Sequence, residues 1–170
     1  MMVAMESTER LRLEPASLEW LEALAEGDAV FSARFAIAVE PGWVVFPETI
    51  AFALERTHDT PPEWGVQLFF DPVDGALVGN GGWKGAPVDG VAELGYAVAE
   101  GRRNRGLATA AVRELVRRAR GAGVRLAIAH TLAEVSASTA VLTRCGFARV
   151  GDVVDPDDGP LWRWELSLDR

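Results

Sequence analysis

The spacing of apolar side chains changes period several times along the chain, and each change marks an element. Arg10-Leu11-Arg12-Leu13 alternates with the two-residue period of a short strand. From Ala16 to Glu26 the period lengthens: Leu18, Leu21, Leu24 and Ala25 fall at helical spacing, with Ser17 as N-cap and Gly27 as a stop. Pro47 to His58 repeats the helical signal through Ile50, Phe52, Ala53 and Leu54, with Pro47 suited to a first turn. Trp43 and Trp64 bracket this segment and read as lids on the core, with substrate contact as the alternative.

Three runs of strand composition follow: Gly65 to Phe70, Ala76 to Trp83 and Val91 to Val98. Pro72-Val73-Asp74-Gly75 and Pro87-Val88-Asp89-Gly90 separate them, and such clusters between apolar runs are hairpin turns, so the three form an antiparallel meander. Leu107, Ala108, Ala111, Val112, Leu115, Val116 and Ala119 then make one face of a helix that ends at Gly121 and Gly123. Val124 to Thr131 is the next strand, and Ser136 to Cys145 a short helix stopped by Gly146. Phe147 to Val154 and Leu161 to Leu168 complete the pattern as strands, the last with Trp162, Trp164, Leu166 and Leu168 on one face. The order predicts a mixed α/β chain: helices, a meander, then a strand-helix-strand crossover.

Composition narrows the classes. Of 170 residues, 49% are apolar and 25% charged, which excludes disordered, collagen-like and disulfide-stapled proteins. A chain of this length buries roughly 70% of its unfolded surface, so residues 1–170 read as one domain. The apolar stretch Phe31 to Val45 is broken by Arg34, Glu40 and Pro41, too early for a membrane span, and reads as core or as the face of a homodimer. Glu6 and Glu9, without an apolar run beside them, argue against a signal peptide, and the single cysteine, Cys145, against a disulfide or a cysteine-based metal cluster. The expectation is a cytoplasmic protein with no membrane partner and no metal.

The net charge of −8 is unevenly spread. Between Arg102 and Arg125 stand eight arginines and one acid, Glu114, which leaves −15 on the rest of the chain. That acidic background disfavours a nucleic-acid partner, because phosphate-backbone binding needs a broad basic surface; a compact anionic ligand fits better. The loop Glu100-Gly101-Arg102-Arg103-Asn104-Arg105-Gly106 opens into the helix at Leu107-Ala108-Thr109. A glycine before open N–H groups at the positive end of a helix dipole is a phosphate cradle; a solvated arginine-rich cap is the alternative. The loop lacks the lysine and hydroxyl of a nucleoside-triphosphate loop and the glycine spacing of a dinucleotide fold.

Arg103-Asn104-Arg105-Gly106-Leu107-Ala108 resembles the R/Q-x-x-G-x-G/A signature of the GNAT superfamily of acetyl-CoA-dependent N-acetyltransferases. Upstream, Glu93-Leu94-Gly95-Tyr96-Ala97-Val98 is similar to the family's central strand; downstream, Ser138 to Phe147 resembles its S-x-x-V-L-x-x-x-G-F segment. Thr8-Glu9-Arg10-Leu11-Arg12-Leu13 is similar to the opening of the RimJ/RimL-type branch, whose named members acetylate N-terminal amines of ribosomal proteins. The resemblance spans nearly the whole chain. It implies a GNAT fold, an α/β (α+β mixed) architecture with a mostly antiparallel sheet of about seven strands, splayed near Glu93, and helices on both faces. It implies acetyl-CoA as acyl donor and a primary amine as acceptor. The pyrophosphate is then held by main-chain N–H groups of Arg103, Asn104, Arg105, Gly106, Leu107, Ala108 and Thr109, and the pantetheine arm by the backbone of Tyr96, Ala97 and Val98. Ser138, in the matching serine position, is either a pantetheine contact or the donor to the departing thiolate.

Alternation puts Val91, Glu93, Gly95 and Ala97 on one face of their strand and Ala92, Leu94, Tyr96 and Val98 on the other. Small neighbours leave room for a ligand beside Glu93, the candidate general base, directly or through water; an exposed strand glutamate is the alternative. The family's tyrosine four residues before Gly-Phe is here Leu142, and its asparagine three residues before the serine is Val135. These departures motivate a rival reading, a non-catalytic CoA-binding module of the same fold. His130 reads first as structural, with a base role as the alternative; His58 has no metal-spaced partner, and Cys145 reads as core.

Overall fold

The computed structural model of the protein describes residues 11–46 and 48–169. Glu6, Thr8, Glu9, Arg10 and Pro47, which enter the sequence reading, lie outside those residues. The elements in chain order are β1 (Arg12–Pro15), α1 (Leu18–Glu26), α2 (Asp28–Phe35), α3 (Glu48–Arg56), β2 (Val66–Phe70), β3 (Leu77–Trp83), β4 (Val91–Val98), α4 (Leu107–Gly121), β5 (Leu126–Leu132), α5 (Ala137–Arg144), β6 (Ala148–Asp155) and β7 (Gly159–Ser167).

Among the described residues seven strands make one sheet in the order β1-β2-β3-β4-β5-β7-β6. Hairpin turns make β2, β3 and β4 an antiparallel meander, and β4 and β5, joined through α4, run parallel. Each face carries its own core. On one, α4 buries Leu107, Ala111, Val112, Leu115, Val116 and Ala119 over a cluster that includes Phe69, Leu94 and Val98, with α5 beside it through Val141 and Leu142. On the other, α1 and α2 cover Leu68, Phe70 and Leu77 with Ala23, Leu24 and Phe31. The seven-strand sheet with helices on both faces is the expected architecture.

Local chemistry explains the boundaries. The Ser17 side chain caps α1 by accepting from the N–H of Trp20 at 3.2 Å, and Ser136 and Thr139 form a reciprocal capping box at the start of α5. Within α1, Leu21, Ala23 and Leu24 face inward while Leu18 and Ala25 are exposed, a rotation of the apolar face from the expected one. The sequence reading missed α2 because Gly27 looked like a terminator; at φ 144° it ends α1 and starts α2, acting as a joint between two helices. In the stretch from Phe31 to Val45, Phe31 and Trp43 are fully buried in the second cluster and Phe35, Ile37, Val39 and Val44 pack partly buried against it, while Ala36, Ala38 and Val45 are exposed. Trp43 is a core lid, its indole N–H donating to Asp28 at 3.1 Å, and Trp64 packs edge-on against Trp83. Among the described residues no helix is long and apolar enough to cross a membrane.

Leu115 sits at the centre of the α4 contact, 1% exposed. Leu115→Ala is expected to lower stability by about 2–5 kcal/mol, read as a fall in the urea midpoint; an unchanged midpoint would mean that α4 is not the principal cover of this face.

Candidate active site

The meander and the crossover pull β4 in two directions. It pairs with β3 as far as Val98, but with β5 only over Val91, Ala92 and Glu93, opposite Leu126, Ala127 and Ile128. Beyond that point β5 continues against β7, from Ala129 to Leu132. Two strand edges therefore diverge into a wedge whose closed end lies at Glu93 and Ile128.

Hydrogen-bond phase decides which main-chain groups face this wedge. The N–H of Lys84 donates to Glu93 at 2.7 Å, and that of Ala99 to Val78 at 2.8 Å, so Glu93, Gly95 and Ala97 turn their amides and carbonyls to β3. Leu94, Tyr96 and Val98 turn theirs to the wedge. Ala97 is thus directed away from the edge on which sequence reasoning grouped it with Tyr96 and Val98. On β5, the bonds Leu168 to Arg125 and Ala133 to Pro160 set the same phase, so His130 and Leu132 face the opening.

The loop after β4 ends at the α4 N-terminus. Asn104 and Gly106 adopt left-handed φ values of 63° and 76°, the second a conformation that glycine takes without strain. Gly106 provides no side-chain cap, and the buried side chains of Leu107 and Thr109 anchor the first turn while its N–H groups stay open at the positive end of the dipole. Asp71, with a side chain 1% exposed, ties this loop to the β2–β3 turn: its Oδ2 accepts from Arg102 at 2.9 Å and Arg105 at 2.7 Å. Burial pushes the Asp71 carboxyl up, but the N–H of Val73 and the two guanidinium groups outweigh it and hold it below the usual carboxylate range.

These pairs qualify the charge argument. Arg102 also meets Glu40 and Asp74, Arg117 and Arg118 share Glu114 at 2.8 Å, and Arg125 donates to the carbonyl of Asp89. Within the loop itself Arg102 and Arg105 meet acids from distant segments, and the Arg103 Nε donates to the Val98 carbonyl at 3.2 Å. The positive end of α4 is therefore the part of the cradle that the fold leaves unspent.

Glu93 is half-buried at the closed end of the wedge and engaged at both oxygens: Oε1 lies 2.7 Å from His130 Nδ1, and Oε2 2.9 Å from Lys84 Nζ. Gly82 stands directly across from Gly95, and the Lys84 stem covers part of the space beside Gly95, with its Cε 3.5 Å from where a Gly95 Cβ would be. Asp155, at the end of β6, is held low by the N–H groups of Asp158 and Asp157, and His130 and Lys84 act in the same direction. On the opposite face the Tyr96 hydroxyl donates to the Ser138 carbonyl at 2.8 Å, and burial, with Cys145 adding, pushes its pKa well up. Ser138 is exposed in the first turn of α5, near Tyr96 and on the other side of the sheet from Glu93. Sequence reasoning missed Lys84 and Asp71. Lys84 stands beside a hairpin turn opposite an acid, a signal that strand register would have revealed; Asp71 follows a strand and gave none.

The acetyltransferase (GNAT) domain family matches residues 10–148. Solved structures share the fold over nearly the whole chain. The microcin C7 self-immunity acetyltransferase MccE, in complex with acetyl-CoA and AMP, is 14% identical, with TM-score 0.69 and coverage of 95% of this chain and 94% of its own. A spermidine N-acetyltransferase SpeG chimera from Vibrio cholerae and hSSAT is 15% identical, with TM-score 0.68 and coverage of 94% and 96%. RimL, a ribosomal L7/L12 alpha-N-protein acetyltransferase in complex with coenzyme A, is also 15% identical, with TM-score 0.68 and coverage of 93% and 94%. Identities this low establish a common fold and single out no branch. No curated protein sequence matches the chain.

The Asp71 cluster yields a stability test. Asp71→Asn takes the shared anion from Arg102, which keeps Glu40 and Asp74, and from the partly exposed Arg105, and is expected to cost about 2 kcal/mol, seen as a melting midpoint lowered by roughly 4–8 °C. Because the folded-state pKa is depressed, the carboxylate's contribution is present above its unfolded pKa and is lost as pH falls through the folded one. Wild type should therefore lose its advantage over the variant in acid, and an equal gap at all pH values would contradict the assignment.

Proposed function

This chain belongs to the GNAT acetyltransferase family, and from that premise we propose that it moves an acetyl group from acetyl-CoA to a primary amine, either a peptide N-terminus or a small-molecule amine. The observation that carries the reading is the wedge, which lines up an open helix N-terminus, an open strand edge and the Glu93 carboxylate along one path. An elongated thioester bearing a pyrophosphate matches that order of groups.

In this reading the N–H groups from Arg103 to Thr109 receive the pyrophosphate, where the α4 dipole favours negative charge. Tyr96 and Val98 pair with the amides of the pantetheine arm as an added strand would, and Ser138 contacts the arm from α5. The thioester then ends near Glu93. The acceptor ammonium gives up one proton on the Glu93 face, its nitrogen bonds to the carbonyl carbon, and the carbon–sulfur bond breaks. The proton that nitrogen sheds as the amide forms neutralises the departing thiolate, so the reaction needs no tyrosine at the position of Leu142. Holding both reactants supplies much of the rate. The acidic balance outside the arginine run favours a cationic acceptor at the stage of encounter.

The rival, a CoA-binding module without turnover, draws on Leu142, which is wholly buried, and on Val135, which is 88% exposed where the family's polar side chain stands. One experiment separates the two: acetyl-CoA titration by calorimetry together with thiol release on adding an alanine-initiated peptide or spermidine. Wild type should bind and turn over one of the amines. Gly106→Trp should abolish binding, and Glu93→Gln should keep binding while turnover falls by roughly 10²-fold or more. Binding without thiol release from either amine would favour the module, and a folded wild type that does not bind would overturn the acyl-transfer reading.

A further inference from the structure

We infer that His130, through Nε2, is the group that takes the proton from the acceptor amine, and that Glu93 is its positioning residue. The inference rests on the acyl-transfer reading and deepens it. Both Glu93 oxygens are already committed, Oε1 to His130 Nδ1 at 2.7 Å and Oε2 to Lys84 Nζ at 2.9 Å. Each oxygen keeps a second lone pair, but an ammonium approaching Glu93 directly would compete with both donors and meet the Lys84 cation beside it. The imidazole meets no such obstacle. An ionised carboxylate only accepts, so a contact this short puts the ring hydrogen on Nδ1 and leaves the Nε2 lone pair available. Among the described residues the ring has no hydrogen-bond partner other than Glu93.

Position supports the same assignment. Ile128 is the last β5 residue paired with β4, and His130 is the next residue on its face, so it stands just inside the wedge while Glu93 closes it. The two side chains are 21% and 22% exposed, which is enough to be reached and little enough to hold one geometry. The charged groups around the ring are Glu93 from β4, Lys84 from the β3–β4 turn, Asp155 from the end of β6, and from β7 Arg163, directly across from His130, with Glu165, which accepts from Arg163 at 3.0 Å. Asp155 accepts from the N–H groups of Asp157 and Asp158 at 2.8 and 3.0 Å, and Lys84 only donates, so Glu93 is the anion that orients the imidazole.

The proton path closes. The ammonium gives one proton to Nε2, and the resulting imidazolium is stabilised by the Glu93 carboxylate that already accepts from Nδ1. The neutral nitrogen forms the amide, its second proton goes with the thiolate, and His130 returns its proton to water after products leave. The net change is one proton released per acetyl group transferred.

The chain has only two histidines, His58 and His130, so nitrogen-15 labelled histidine gives an assignable spectrum of the free protein. At a pH where the ring is neutral, His130 should be the Nδ1–H tautomer, and Glu93→Gln should shift it toward the Nε2–H form. With whichever of the alanine-initiated peptide and spermidine is acetylated, His130→Ala should lower turnover by roughly 10²–10⁴-fold and recover part of it when imidazole is added, a rescue that a structural role would not show. The double variant with Glu93→Gln should be no slower than His130→Ala alone. A resting Nε2–H tautomer in wild type, or wild-type turnover in His130→Ala, would overturn the inference. Failure of wild type to acetylate either amine would count against the acyl-transfer reading, while the tautomer measurement still decides the pairing.

Discussion

The structure turns on one broken pairing, the parting of β4 from β5 after Glu93 and Ile128. A parallel ladder that continued would pair the main-chain groups of Tyr96 and His130 and the N–H groups of Val98 and Leu132, whose carbonyls already accept from Arg103 and Glu134. Past that point each strand stays paired on its other edge alone, β4 with β3 as far as Val98 and β5 with β7 as far as Leu132. The opening is held by packing beneath it: α4 covers β4 through Leu107, Ala111 and Leu115, and α5 follows β5 and is tied back to β4 by the Tyr96 hydroxyl on the Ser138 carbonyl. The wedge is therefore a consequence of the whole sheet and of the two helices on one face.

Electrostatics divides between holding the site and serving it. Arg102 and Arg105 are spent on Asp71, Asp74 and Glu40, which lie on the β2–β3 turn and on the segment after α2. That cluster fixes the cradle loop and joins it to the helices of the opposite face. What remains for an anionic ligand is the main chain at the start of α4, a fixed dipole whose donors need no rearrangement to meet charge. On the other face, Lys84, Glu93 and His130 form a compact chain of alternating donor and acceptor whose outer end is an imidazole nitrogen.

Much of this was legible in the sequence where the physics is local. The α4 face from Leu107 to Ala119, the meander with its two Pro-Val-Asp-Gly turns and the Ser136 cap all follow from periodicity and turn chemistry, and they appear within one or two residues of expectation. Gly106 before the α4 N-terminus and Glu93 on its strand face were also local readings, and Gly106 stands at the start of α4 and Glu93 at the last β4 position paired with β5. Legibility fell where a residue's role depends on distant chain. The Gly27 joint hid α2, because a glycine between two helices reads the same as one that ends a helix. The placement of Ala97 depended on hydrogen-bond phase, which needs the partner strand. The pairing of Glu93 with His130 joins residues 37 apart on neighbouring strands, and the Asp71 anchor joins the meander to the cradle across a similar separation.

The central claim is that the wedge receives acetyl-CoA along the open edge of β4 and the first turn of α4. Residue-resolved amide exchange with and without acetyl-CoA tests it most directly, since exchange reads each N–H separately. The account predicts new protection at Tyr96, Val98, Leu107, Ala108 and Thr109, with Ala97, already paired to β3, unchanged. Binding that leaves those five amides as they were, or that protects residues outside the wedge in their place, would contradict it.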